Sequence, residues 1–438
     1  MPGGFEPGLG GRRRVAYPWP MAVATQSVTD LCRAAKAAAR ALAALDSAAK
    51  DRALLAVADA LEARTPEILE ANARDLEAGR ESGLSDALMD RLALDERRVA
   101  AMARGVRDIV ALPDPVGEVL DGSRFANGLQ MRKVRVPLGV VAVVYEARPN
   151  VTIDAAALCL KSGNAIVLRG SSSAAHSNAV LAAVAREAGG LPAGALALVA
   201  GGGREELAEL AGQEGLVDLI VPRGGEGLKK ALAAVAKVPV IYAASGNCHV
   251  FVDATADLEA AKAIIVNAKT QRPGVCNAAE TLLVHADVAD RFLPDALGAL
   301  HDAGVELRGD ERVRGSTAGV PVAGATEDDY AEEFLGLTLA VKVVDSVEDA
   351  IEHINAYGSG HSEAIVTASV AASRAFQLGV DAACVYVNAS TRFTDGGEFG
   401  MGAEIGNSTQ KLHARGPIGL RELCTFKYLV EGTGHIRP

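Results

Sequence analysis

The residues best placed to do chemistry lie in the stretch NAKTQRPGVCNAAETLLVH, Asn267 to His285, with Cys276 at its centre. A cysteine thiolate attacks acyl carbons and forms covalent intermediates, provided its surroundings favour the ionised form. A free cysteine is more often simply buried. The flanking Gln271, Arg272 and Asn277 argue otherwise, because polar and cationic neighbours are wasted beside an inert thiol but favour a thiolate. The elements that must position this thiol can be read on either side. Leu258 to Val266 is an apolar, Ala-rich run with helical spacing, and Thr281 to Val284 reads as a buried strand. Pro273 and Gly274 break the helix, so Cys276 is expected on a turn at an element end, where reactive groups meet substrate.

Composition narrows the class. The 438 residues suffice for two or three domains, and 49% hydrophobic with only 4% aromatic residues suggests Ala- and Gly-rich helices packed tightly on sheets. A formal charge of -11 argues against nucleic acid or an anionic membrane as partner, so positive contacts to any anionic ligand must be local. The six cysteines, Cys32, Cys159, Cys248, Cys276, Cys384 and Cys424, show no CxxC spacing, which points to a reducing compartment with neither disulfides nor a metal site. No apolar run approaches the roughly 18 residues of a membrane span, so a soluble, cytoplasmic protein is expected. Residues 1–20 are Gly-, Pro- and Arg-rich without a following apolar segment, and read as a disordered extension rather than a signal peptide.

Along the chain, Thr29 to Leu112 carries helical periodicity, with Thr65 read as an N-cap ahead of Pro66. Pro113 to Arg135 is polar and Gly-punctuated, and Leu129 to Val136 alternates as a solvated strand would. From Gly139 short apolar runs (Val140–Tyr145, Ala165–Leu168, Ala195–Ala200, Val217–Val221, Val238–Ile241) alternate with helical segments (Asp154–Ser162, Ser173–Ala188, Glu205–Ala211, Gly227–Ala236). That alternation predicts βαβ units and a doubly wound sheet, whose ligands bind at the carboxyl ends of the strands. Two glycine-rich turns fall there, Gly201-Gly202-Gly203 and Arg223-Gly224-Gly225-Glu226-Gly227. Their backbone amides could approach a phosphate, or they could be ordinary strand-to-helix turns, and neither has GxGxxG spacing. A second α/β block follows Cys276, with strands expected at Val305–Leu307, Pro321–Ala323, Leu339–Val343, Ser362–Thr367 and Ala383–Val387. Asn388 to Gly419 is a polar loop region of about thirty residues, a length that is usually functional in a compact domain. Leu423 to Val430 reads as a closing strand that pairs with another subunit.

Three segments carry a specific resemblance: PLGVVAVVYEARPNVTIDAAALCLKSGNAIVLRGSS (Pro137 to Ser172), the Cys276 stretch, and VEDAIEHINAYGSGHSEAIVT (Val347 to Thr367) continuing through VNASTRFTDGGEFGMGAEIGNSTQKLHARGPIGL (Val387 to Leu420). They resemble the gamma-glutamyl phosphate reductase family, a proline-biosynthesis branch of the aldehyde dehydrogenase superfamily, and the likeness runs from about Val28 to Glu431. It implies an aldehyde dehydrogenase-like α/β fold. The NADPH-binding domain would span 21–121 and 137–245, the catalytic domain 246–420, and an oligomerisation arm 122–136 with 421–438.

The resemblance further implies that Cys276 is the nucleophile that attacks gamma-glutamyl phosphate to give a thioester. Asn150, in Arg148-Pro149-Asn150, matches the asparagine whose amide stabilises the oxyanion. Glu333 matches the glutamate that holds the nicotinamide ribose. Arg169 and Ser172 match the positions that grip the adenosine ribose, where serine in place of an acid favours NADPH over NADH because a carboxylate would repel a 2′-phosphate. Gly224 and Gly225 are the phosphate-side candidates. Oxidising relatives carry a water-activating glutamate near the end of the last cofactor-domain strand, and Val240 to Phe251 has no acid, which fits reduction rather than hydrolysis. Arg272, Arg392 and Arg415 are candidate ligands for the substrate's phosphate and carboxylate. His361 is either a substrate contact or a hydrogen-bonded structural residue, and His353 is expected to be structural. The expected partners are a small-molecule substrate, a second copy of the chain, and transiently the glutamate 5-kinase that makes the labile acyl phosphate, a contact that absence of substrate channelling would count against. Alternatives are a reductase of another activated acyl group such as an acyl-CoA, which calls for a more apolar channel, and a non-catalytic binding protein on the same scaffold.

Overall fold

The computed structural model describes residues 26–437 except 202 and 243–245, so the expected extension at residues 1–20 lies outside the described residues. Its sheets are built from sixteen strands. Strands β1 (Val119–Arg124) and β2 (Gln130–Pro137) form a hairpin, β3 (Val140–Tyr145), β4 (Ala165–Arg169), β5 (Leu196–Leu198) and β6 (Leu219–Arg223) form the first parallel sheet, and seven more form the second: β7 (Cys248–Val252), β8 (Ala279–His285), β9 (Glu306–Gly309), β10 (Ala323–Gly324), β11 (Thr338–Val344), β12 (Ser362–Val366) and β13 (Cys384–Val387). Two short strands, β14 (Asn407–Ser408) and β15 (Gly416–Pro417), pair within the polar loop region, and β16 (Cys424–Glu431) returns to the hairpin.

In the first sheet the strand order is β5-β4-β3-β6, all parallel. The chain winds outward from β3 through β4 to β5, then crosses back to lay β6 on the other side of β3. That reversal opens a crevice at the carboxyl ends of β3 and β6, the place where doubly wound sheets bind ligands. Strand β3 is buried along its whole length, as a continuous Val-rich run in a two-sided sheet must be. The expected strand at Val238–Ile241 is reduced to one bridge between Ile220 and Val240. Pro222 and Pro239 lack the N–H groups that would extend the ladder.

The N-terminal helices share the core of this sheet. Helix Val28–Leu42 packs on β3, β4 and β5, while Ser47–Ala63 and Glu96–Ala111 pack on helix Asn150–Lys161. Thr65 is not the cap expected of it, because Arg64 occupies that position and the Thr65 hydroxyl turns back to the carbonyls of Leu61 and Glu62. Helix Asn150–Lys161 begins four residues before the expected start, since Pro149 stands at its mouth, where no backbone donor is needed. Ile405, Ala414, Ile418 and Leu420 join the same core, so the polar loop region anchors onto the first domain as well as the second.

The second sheet has order β10-β9-β11-β8-β7-β12-β13 and is wholly parallel. Its two faces are covered by separate apolar clusters, one around helices Leu258–Thr270 and Ala286–Asp302 and one around Val347–Tyr357 and Val370–Gly379. The third sheet is the antiparallel arm β1-β2-β16, in which β16 pairs with β2 from Cys424↔Pro137 to Glu431↔Gln130. Among the described residues no helix is long and apolar enough to cross a membrane, and no cluster of His, Cys, Asp and Glu could hold a metal ion.

Candidate active site

Cys276 sits, half-buried, on the turn between helix Leu258–Thr270 and strand β8, as its breakers predicted. The helix is started by Asp257, whose carboxylate accepts from the N–H groups of Glu259 and Ala260, and it stops at Thr270, ahead of Pro273. Gly246 crosses directly over the turn, and a Cβ there would lie 1.5 Å from the Cys276 carbonyl oxygen. No larger residue could pass. The Gly246 N–H in turn donates to Glu333 Oε1 at 2.6 Å, so Glu333, Gly246 and Cys276 form one stack. Glu333 lies on the loop after the short helix Glu327–Ala331 rather than on a solvated helix end, and its charge reaches the sulfur.

The charges around the thiol come from both domains. Burial pushes the Cys276 thiol above its ordinary pKa, Arg223 opposes that rise, and Glu404 and Glu333 add to it. The local residues expected to favour a thiolate are occupied elsewhere. The Asn277 amide donates to the carbonyls of Arg392 and Thr394, at 3.3 and 2.9 Å, and Gln271 Oε1 accepts from Arg392 Nε at 2.8 Å. Together with the Thr391 hydroxyl on the Asn277 carbonyl, these bonds tie the Cys276 turn to the loop region beyond β13. The expectation of a locally stabilised thiolate is therefore corrected: in the free enzyme desolvation outweighs the cations.

Arg148 and Arg223, which the sequence reading did not single out as ligands, flank the strand-order reversal. Arg223 ends β6, and Arg148 follows β3. Burial lowers the pKa of Arg148, and the positive charges of Arg223, Arg91 and Arg272 lower it further, while Cys276 pulls it up. Arg392 shows the same pattern, with burial and Arg272 lowering it and Cys276 and Asp395 raising it. The charges of Arg148, Arg223 and Arg392 thus reach the thiol, and that of Arg272 reaches Arg148 and Arg392. The signal available in the sequence was position, since both missed arginines stand at the carboxyl ends of adjacent parallel strands.

Asn150 opens helix Asn150–Lys161 and is exposed. Its Nδ2 donates to Asp154 Oδ2 at 2.9 Å. Glu404 is half-buried, accepts from the Gly396 N–H at 3.0 Å, and is lifted in pKa by burial while Arg223 holds it down. The segment Val240 to Phe251 brings no acid, but Glu404 and Glu333 bring two carboxylates into the field of the sulfur from other parts of the chain.

On the cofactor side, Gly224 and Gly225 make the turn from β6 into helix Glu226–Val235. A Cβ on Gly224 would meet Glu146 and Leu228, whereas Gly225 faces open space, and its N–H donates to Glu146 Oε2 at 3.2 Å. A dinucleotide phosphate could approach at that opening, where the helix dipole is favourable. Arg169, at the end of β4, is nearly buried, donates to the Gly203 carbonyl at 2.7 Å and lies in the field of Glu206. Ser172 is exposed at the start of the next helical segment.

Two expected substrate ligands lie elsewhere. His361 is fully buried, its Nδ1 is 2.8 Å from the Ser362 hydroxyl, and burial lowers its pKa to about 4, so it stays neutral, in keeping with the structural alternative. Arg415 is held by the carboxylate and carbonyl of Asp381, just ahead of β13. His353 is buried among Tyr330, Tyr357 and His249, in keeping with a structural role.

A crevice at a strand-order reversal, a cysteine on a turn beneath it, and a stacked glutamate define the architecture of an acyl-handling dehydrogenase, and comparison with known proteins agrees. Residues 17–314 match the model of the aldehyde dehydrogenase family. The chain is 56% identical to the gamma-glutamyl phosphate reductase of Thermobifida fusca, over 94% of this chain and 99% of that one, and 57% identical to that of Moorella thermoacetica, over 92% and 97%. The crystal structure of the gamma-glutamyl phosphate reductase from Thermotoga maritima superposes with a TM-score of 0.92 at 45% identity, covering 94% of this chain and all of that one. The chain belongs to the aldehyde dehydrogenase family, in its gamma-glutamyl phosphate reductase branch.

Proposed function

We propose that the chain reduces L-glutamyl 5-phosphate to L-glutamate 5-semialdehyde and phosphate with NADPH, the second step of proline biosynthesis from glutamate, through a thioester on Cys276. The observation that carries this reading is the set of guanidinium groups whose charges reach the thiol, Arg148, Arg223 and Arg392, with Arg272 in the field of Arg148 and Arg392. Like charges held together in a partly dry crevice repel, and a ligand that is anionic at both ends relieves that cost. A phosphate and a carboxylate each match a guanidinium fork in bidentate fashion. A larger apolar acyl group would leave the forks unmatched.

On this reading Cys276 loses its proton and its sulfur attacks the acyl carbon. The C–S bond forms, the C–O bond to phosphate breaks, and the leaving phosphate departs into the guanidinium cluster. The Asn150 amide and the Cys276 N–H hold the negative charge that develops on the acyl oxygen. Glu333, Gly224, Gly225, Arg169 and Ser172 hold the cofactor, which when bound supplies the hydride that reduces the thioester. Collapse of the resulting thiohemiacetal frees the semialdehyde and the thiol. Ser172 and Arg169 support NADPH over NADH, and Glu206 works against that preference.

The reaction is most easily tested backward. Reduced nicotinamide is followed by absorbance with glutamate semialdehyde, phosphate and NADP⁺ or NAD⁺, for the wild type and Cys276→Ala. Phosphate-dependent turnover, faster with NADP⁺ and abolished in the variant, is expected. Turnover without phosphate would mean that water resolves the thioester, with Glu404 or Glu333 as the activating carboxylate.

A further inference from the structure

We propose that Asp154 is a positioning residue for the acyl-transfer step, whose carboxylate holds the Asn150 amide with its N–H end presented to the cleft. This rests on the reading that Asn150 stabilises the oxyanion. The helix Asn150–Lys161 is buried at ten of its twelve residues, and the two that are not are Asn150 and Asp154. Four residues apart, they share one face, and Nδ2 of the first donates to Oδ2 of the second at 2.9 Å. Aspartate is a poor helix-interior residue. No basic side chain forms a salt bridge with it among the described residues, although the charge of Arg223 reaches it from β6.

The chemistry of the pair explains the placement. A primary amide has a donor end and an acceptor end of nearly equal shape, and an ionised carboxylate only accepts. Asp154 therefore selects Nδ2 and leaves the second N–H of that nitrogen for the acyl oxygen. The reverse orientation would turn Oδ1 toward a developing negative charge and repel it. Burial lifts the Asp154 carboxyl to about 6, with the Asn150 bond and Arg223 pulling it down, so the group is ionised and purely accepting at neutral pH. A simpler role is also on offer, since an acid in the first turns of a helix interacts favourably with the helix dipole.

A double-mutant cycle separates the two, using the phosphate-dependent assay on Asp154→Asn, Asn150→Ala and the pair. Asn150→Ala is expected to lower kcat by roughly 100-fold with KM for the semialdehyde little changed, as for loss of one oxyanion donor. Asp154→Asn should cost about tenfold in kcat, because an asparagine donates as readily as it accepts and no longer sorts the amide. Added to Asn150→Ala, it should cost nothing further. Equal fold losses in both backgrounds, or wild-type kcat in D154N, would overturn the positioning role while leaving the oxyanion reading intact. Wild-type kcat in N150A would sink both. Melting curves and NADPH fluorescence establish that each variant is folded, and Asp154→Ser replaces D154N in the cycle if the latter is not.

Discussion

At the thiol, two opposed effects meet, and burial is the larger. Burial desolvates the Cys276 sulfur, and although Arg223 draws its pKa down, Glu404 and Glu333 add to the rise. A resting thiol of this kind is protected against adventitious oxidation, because the thiolate is the reactive species. The alkylation rate of Cys276 by iodoacetamide should therefore climb with pH and continue to rise beyond 9.0, the value of an unperturbed thiol, since a raised pKa leaves the thiolate scarce below it. Arg223→Gln removes the cation that favours the thiolate and should slow alkylation at every pH below that plateau. A rate that levels off near pH 7 would mean that the cations prevail over burial.

Among the elements, the turn that carries Cys276 rests on a buried ion pair. Lys269, in the last turn of helix Leu258–Thr270, meets Glu280 on β8 at 2.5 Å, and both side chains are fully buried. Burial depresses Lys269 and raises Glu280 to about 7, and each partner pulls the other back. The second Glu280 oxygen lies 3.4 Å from the Leu335 N–H, two residues beyond Glu333. The pair thus joins the helix before Cys276, the strand after it, and the loop that carries Glu333. Lys269→Met leaves a carboxyl buried without its partner and should cost about 3–5 kcal/mol in urea denaturation. Lys269→Met with Glu280→Leu should recover most of that loss. A single variant as stable as the wild type would show that water or a neighbour satisfies Glu280 instead.

On the scale of the whole molecule, the three-stranded arm carries an exposed apolar stripe. Phe426, Tyr428 and Val430 alternate along β16 and are exposed at 46%, 55% and 58%, on one face of the strand. Lys133 lies over the Phe426 ring at 3.7 Å. An apolar stripe of this kind on an extended arm suits a second copy of the chain, and burying each such side chain contributes about 1.5–3 kcal/mol. Tyr428→Glu should accordingly lower the sedimentation coefficient toward that of one chain. A wild-type species that already sediments as a monomer would refute the pairing.

The Val-rich runs at β3 and β4, the turn that carries Cys276, the alternating arm strand β2 and the closing strand β16 were all visible, because burial, helix breaking and alternation are written into neighbouring residues. The start of helix Asn150–Lys161 was missed by four residues, and with it the face shared by Asn150 and Asp154, since a proline reads equally as a stop or a first turn. His361 was ambiguous for a similar reason: a signature motif shows that a residue matters but not whether it faces a ligand or a core.

Which charges face the nucleophile lay beyond any such pattern. Arg148 and Arg223 come from strands joined by the reversal in the first sheet, and Arg392 and Glu404 come from the loop region that bridges both domains. The turn that carries Cys276 could be inferred from residue types along the chain, which act on their neighbours through a few bonds. The environment of the sulfur could not, because electrostatic fields act through space, and it takes the pairing of β3 with β6 and the return of the loop region to bring Arg223, Arg148, Arg392 and Glu404 into one field.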